Sequence, residues 1–261
     1  MNGVVIWHIG RCGSTLLGST LNQNPEIQWE NEIFVPLLWR KRAGELIPSM
    51  PEALAEVAAR RTRPLQVVEV KFLVDQHPSI FGISLEEMLE TFLSRGFSRF
   101  VILKRENHLR RMVSHCVLNE TQVGHLSVGG TPALHRITLD MTALKVGEAT
   151  RSLREWFFIF EQSYRHLAAL LSRYPTCEVI YERDLVHGPL PGYHRACDFL
   201  GVAPVAPDVL LTRTNPFRLA DILINYTEIV RHLEATEHAW MLSDDDTARP
   251  PESHPSSTRA P

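Results

Sequence analysis

The feature that most constrains this chain is its first apolar run. Val4 to Ile9 is short and largely apolar, stops at Gly10, and passes through a glycine-containing turn into a helix bearing Leu16, Leu17 and Leu21. This reads as strand, loop, helix. Further strand candidates are Leu65 to Val74, Phe97 to Leu103 and Glu178 to Tyr181, with a helix over Leu85 to Arg95 that Gly96 stops. Strands that alternate with helices predict an α/β fold, in which a central parallel sheet is flanked by helices on both faces.

Two helices carry strong apolar stripes. Leu109, Met112, Val113, Cys116 and Val117 share one face, and Leu153, Trp156, Phe157, Phe160, Tyr164, Leu167 and Leu171 form a longer one. The aromatic stripe is expected to be core rather than a cofactor site. A third helix is expected to carry Ile222, Leu223, Tyr226, Ile229, Val230 and Leu233 on one side. The segment Gln122 to Pro132, rich in Gly, Ser and Thr, reads as a loop near a substrate mouth. From Ser243 onward the chain turns polar and proline-containing, which predicts a single domain over residues 1–242 and a disordered tail over 243–261.

Composition narrows the function classes. A formal net charge of −3 supplies no global basic field for nucleic acid, although a local phosphate pocket stays open. Cys12, Cys116, Cys177 and Cys197 are scattered, with no zinc-like spacing, so free thiols are expected and no metal site. No apolar run approaches the roughly 20 residues of a membrane span. The expectation is a soluble, cytoplasmic protein.

The most informative stretch is Gly10-Arg11-Cys12-Gly13-Ser14-Thr15-Leu16-Leu17. A turn that opens a helix presents unpaired amides and the positive end of the helix dipole, a ready anion site. Gly10 and Gly13 allow close backbone approach, Ser14 and Thr15 add hydroxyls, and Arg11 adds a fixed cation. Taken alone, the turn is equally well a plain helix cap. It lacks the Gly-Lys-[Ser/Thr] ending of a nucleotide-kinase loop. Downstream, Phe100-Val101-Ile102-Leu103 runs into Lys104-Arg105-Glu106-Asn107, followed by a helix with Arg110, Arg111 and Ser114. Cations at the end of a parallel strand lie where α/β folds bind ligands.

These two stretches resemble the nucleotide site of the sulfotransferases that use 3′-phosphoadenosine 5′-phosphosulfate (PAPS), the bacterial and carbohydrate-directed branch above the cytosolic one. Tyr181-Glu182-Arg183-Asp184-Leu185, Cys197 to Val202, Asn215-Pro216, Asn225-Tyr226 and Thr236-Glu237 with Trp240 extend the likeness to about Leu242. It is weak over Arg40 to Arg63 and Gln122 to Val146, where acceptor specificity is expected. The resemblance implies a P-loop-like single domain and PAPS as co-substrate. It implies a phosphosulfate loop of Gly10, Arg11, Cys12, Gly13, Ser14, Thr15 and Leu16, with Arg11 at the leaving oxygen. Arg105 and Ser114 would hold the 3′-phosphate, with Arg110 in reserve, and Arg213 would replace a late cation of the cytosolic enzymes.

Sulfuryl transfer to a hydroxyl needs stabilisation of the leaving oxygen and a general base, and no metal. Glu32 resembles the base of carbohydrate-directed members, His77 lies roughly where cytosolic members place a histidine, and Glu30 neighbours Glu32. They rank as base in that order, with Lys71 a second cation near the transferred group. The expected partner is a small-molecule hydroxyl acceptor, a sugar or natural product. The competing readings are a P-loop kinase or phosphotransferase and a non-catalytic nucleotide-binding module.

Overall fold

A computed structural model describes residues 3–72 and 80–244. The first apolar run is β1 (Gly3–His8), wholly buried. With β2 (Ile27–Glu30), β3 (Leu65–Lys71), β4 (Phe97–Lys104) and β5 (Thr176–Ile180) it forms one sheet in the order β2-β3-β1-β4-β5. Every pairing is parallel. Helices α1 (Ser14–Leu21), α2 (Val35–Arg42), α3 (Met50–Ala59), α4 (Leu85–Ser94), α5 (His108–Thr121) and α6 (Leu153–Leu171) cover the sheet. The C-terminal part adds α7 (Tyr181–Asp184), α8 (Leu190–Leu200), α9 (Leu219–Ile222) and α10 (Tyr226–Leu233). This is the α/β architecture with a central parallel sheet that the strand and helix pattern predicts.

The topology fixes where a ligand can sit. From β1 the chain leaves toward β2 at one edge, whereas from β4 it leaves toward β5 at the other. The connections diverge between β1 and β4, and the crevice at the carboxyl ends of those strands is the general ligand position of open α/β sheets. The Gly10–Gly13 turn and the Lys104–Asn107 turn stand on either side of it.

The long aromatic stripe is core. Leu153, Trp156, Phe157, Phe160, Tyr164, Leu167 and Leu171 are all buried along α6. Trp156 stacks on Phe160, with centroids 5.5 Å apart. The Tyr164 hydroxyl donates to the Leu103 carbonyl at the end of β4, which gives the stripe's one phenol a partner. A reciprocal cap of Ser152 and Glu155 starts the helix.

Two expectations need correction. Leu219–Ile222 and Tyr226–Leu233 are separate helices, not one. Between them the Ile224 amide donates to the Ile137 carbonyl and the Ile137 amide to the Ile222 carbonyl, so an inter-segment bridge takes over bonds that a continuous helix would need. Tyr181 does not end the fourth expected strand but opens α7. Asp244, in the expected tail, accepts from Arg110 Nη2 at 2.7 Å and from the Leu219 amide at 2.9 Å. The rest of that tail lies outside the described residues. The pattern also shows no strand at Ile27–Glu30, because four residues with two polar ones are too few for a period to register.

β2 is anchored by Trp29, whose indole packs against α1 at Gly18. A Cβ at Gly18 would stand 2.1 Å from Trp29 Cε2, so helix and strand meet only because residue 18 has no side chain. Gly18→Ala gains up to about 1 kcal/mol of helix propensity but forces an overpacking cost of about 1–3 kcal/mol. A net fall of a few degrees in Tm is expected in thermal unfolding; a higher Tm would mean that the indole moves aside freely.

Candidate active site

The turn after β1 is held in a conformation that most residues avoid. Gly10, Arg11 and Gly13 have φ of 81°, 56° and 85°. For Gly13 this costs little, and a Cβ there would also meet Tyr181 Cδ2 at 2.9 Å. For Arg11 it costs on the order of 1–2 kcal/mol, offset by the contacts that its side chain makes: Nε donates to Ser114 Oγ at 3.0 Å and Nη1 to the Gly124 carbonyl at 3.5 Å. Gly13 caps α1 with no side-chain bond, so the first amides of α1 are not capped by a side chain of the N-cap residue.

Buried groups support the turn from below. The Gly10 amide donates to His8 Nδ1 at 3.0 Å, which leaves a neutral His8 with its proton on Nε2. That nitrogen lies 2.9 Å from Glu69 Oε1, both side chains being fully buried, but the two are poorly aligned for a hydrogen bond. Burial works to raise the Glu69 pKa, yet the Nε2–H of His8, the Ser14 hydroxyl and the Lys71 ammonium that face it leave it below the ordinary carboxylate value. Glu69 Oε2 also accepts from Trp29 Nε1 at 3.2 Å. From the other side, Arg111 donates through Nε to the Gly10 carbonyl at 3.0 Å and through Nη2 to the Ile9 carbonyl, with its guanidinium 3.9 Å from the Phe160 centroid. The Cys12 side chain turns into this core: Sγ donates to the Gly10 carbonyl at 3.1 Å and meets Tyr164 Oη at 3.4 Å.

Arg105 stands at the end of β4, beside the turn. Its guanidinium lies 4.4 Å from the Tyr181 ring centroid, its Nη1 donates to the Arg11 carbonyl at 3.4 Å, and Nε is 3.8 Å from Glu182 Oε1. The buried Glu182 carboxylate accepts from the amides of Glu106 and Asn107, each at 3.0 Å. Burial outweighs these partners and holds the Glu182 pKa above its ordinary value. Asn107 caps α5 by accepting from the Arg110 amide at 2.8 Å.

One cavity of about 610 Å³ joins these parts. Arg11, Gly13, Ser14, Thr15, Leu16, Glu32, Lys71, Arg105, Ser114 and Arg213, widely spaced in sequence, all line it, as does Arg110. Lys71 Nζ lies 2.6 Å from Glu32 Oε1. Glu30 does not line it; its carboxylate accepts from Gln28 Nε2 at 2.7 Å and faces Arg60 at 3.5 Å. His77 lies outside the described residues. Among the described residues, His8, Glu32 and Glu69 bring ligand-type atoms within 4.8 Å of one another, but Lys71 already sits on Glu32, and His8 faces Glu69.

No family profile matches the chain, and no curated protein does. Among solved structures, it is similar to a sulfotransferase from Alicyclobacillus acidocaldarius, with 14% identity, 93% of this chain and 94% of that chain covered, and a TM-score of 0.49. No helix among the described residues is long and apolar enough to cross a membrane.

Sequence reasoning passed over the supporting groups. His8 and Glu69 interrupt otherwise apolar strands, a signal that a buried polar role was present. Arg111 and Glu182 gave no such sign, since a helix start and a turn carry charges routinely.

The support can be tested directly. Glu182→Ala strands two amides and leaves Arg105 with no carboxylate. Charge-assisted hydrogen bonds of this kind are each worth about 1.5–3 kcal/mol, reduced here because burial already strains the ionised form. A loss of about 2–4 kcal/mol is expected in denaturant unfolding; an unchanged midpoint would show that water replaces the carboxylate.

Proposed function

We propose that this chain is a sulfotransferase that takes its sulfuryl group from PAPS and passes it to a hydroxyl of a small acceptor, a sugar or natural product. The observation that carries the reading is the crowding of cations around one crevice. Burial first, and the neighbouring Arg105 next, lower the Arg11 pKa; Arg111, buried behind the turn, feels both Arg105 and Arg11 in the same sense. Guanidinium groups that repel one another beside a helix N-terminus are relieved by a polyanion. The two anionic ends of PAPS fit this demand, and the cavity has the size usual for a small-molecule site.

In this reading the α1 amides, Ser14 and Thr15 hold the 5′-phosphosulfate, and Arg105 with Ser114 holds the 3′-phosphate. Ser114 Oγ accepts from Arg11 in the structure, so Arg11 exchanges that bond for the donor. PAPS supplies a sulfuryl group on a phosphate leaving group. Arg11 and the loop amides stabilise the oxygen on which negative charge develops. Glu32 accepts the proton of the acceptor hydroxyl, and Lys71 keeps a cation beside it. The kinase alternative lacks the lysine that would follow Gly13, where Ser14 stands.

Ligand linkage distinguishes the readings. Adenosine 3′,5′-bisphosphate (PAP) at about 100 times its Kd stabilises a fold by about 2.7 kcal/mol, which raises Tm by several degrees. AMP, with no 3′-phosphate, should raise it much less, and Arg105→Ala should erase the difference between the two. Equal shifts from PAP and AMP, or a larger shift from ATP with Mg²⁺, would remove the PAPS reading.

The base is tested separately. In an acceptor screen with PAPS, read by product mass, Glu32→Gln should bind PAP as well as the unaltered protein does. Turnover should fall by about 10²–10⁴-fold. Turnover preserved in Glu32→Gln but lost in His77→Ala would transfer the role to His77.

A further inference from the structure

The loop after α5 brings a second titratable group onto the anion turn. His125 lines the cavity, and its Nε2 lies 3.4 Å from Thr15 Oγ1, a hydroxyl in the first turn of α1. The loop is tied down on both sides of it. Gly124 accepts from Arg11 Nη1, while Leu126 and Ser127 pair in antiparallel fashion with Thr212 and Leu211. An imidazole anchored this way stands over the position in which the α1 amides and Thr15 meet an anion. Nothing in the sequence singled it out, because an isolated histidine in a polar loop carries no pattern.

We infer that His125 is a ligand of the anionic 5′ end of the donor and takes up a proton from solvent as that end binds. This rests on the PAPS reading. The charged groups facing it are Arg11 from the turn after β1, Glu32 beyond β2, and Glu69 and Lys71 of β3. Arg213, beyond the strand segment that pairs with the loop, and Arg105 line the same cavity. The ring stays exposed to solvent at one edge; in the free protein its partial desolvation first and Arg11 next hold the imidazole pKa below its ordinary value, against the weaker pull of Glu32 and Glu69. The free side chain is therefore mostly neutral near pH 7. A phosphate or phosphosulfate seated against Thr15 reverses the balance: it satisfies Arg11 and sets a negative charge beside the ring, so the bound-state pKa rises and a proton enters. The cation then adds one charge-assisted hydrogen bond to the anion. Affinity for the donor end should accordingly strengthen as pH falls through the range between the free and bound values.

The test is calorimetry of PAP binding near pH 6.5 in buffers of different ionisation enthalpy, on the unaltered protein, His125→Gln and His125→Lys. The second ionisation of the phosphate shifts protons in all three, so the difference between proteins reads His125. The unaltered protein should take up about half a proton or more above the His125→Gln value. His125→Gln should bind about tenfold more weakly at that pH, the scale of one charge-assisted bond. His125→Lys, a permanent cation, should keep the affinity and lose the extra uptake. Equal affinity and equal proton counts in all three proteins would overturn the inference while leaving the PAPS reading standing. Failure of PAP to bind the unaltered protein would overturn both.

Discussion

The buried guanidinium of Arg111 holds the rest of the site in place. It is the point at which the helix after β4 grips the turn after β1, through the carbonyls of Ile9 and Gly10, with Phe160 of the α6 stripe beneath it. Burial is the first cause of its lowered pKa, so the charge is held there at a cost. What offsets that cost is geometry: a planar fork satisfies two carbonyls at once, and a ring face takes up the remaining surface.

Around that tie, the site is a charge balance assembled from distant parts. Glu182 buttresses the β4 turn beside Arg105, Glu69 faces His8 under the β1 turn, and Glu32 pairs with Lys71 at the mouth. The carboxylates stand behind or beside the cations, while Arg11, Arg105, Arg110 and Arg213 all reach the cavity. A protein of net charge −3 can thus present a basic cleft. Net charge counts groups without regard to position, whereas an anion responds to the few within a Debye length.

Legibility followed the range of the interaction. The α6 stripe, the β1 run and the Gly10–Gly13 turn were readable because period and turn chemistry act between near neighbours. The same logic misjudged Ile222 to Leu233, whose apolar spacing is helical although Ile137 captures the backbone between the two helices. It also passed over β2, which is a strand because β3 pairs with it and Trp29 finds the bare face at Gly18. Cys12 shows a further limit. Position in a loop motif does not say which way a side chain turns, and the Cys12 thiol turns toward Tyr164.

The sequence by itself determined the α/β class, the glycine-containing turn after β1 and the cationic turn after β4, because each is written in a short window of residue types. The tertiary structure alone decided that Arg11 meets Ser114 across 103 residues, that Thr15 meets His125 across 110, and that Glu32, not Glu30, faces the cavity. These pairings depend on strand order and on which face of a turn is exposed. Both are set by packing over the whole sheet, where the energy of a contact does not depend on how far apart its residues lie in the chain.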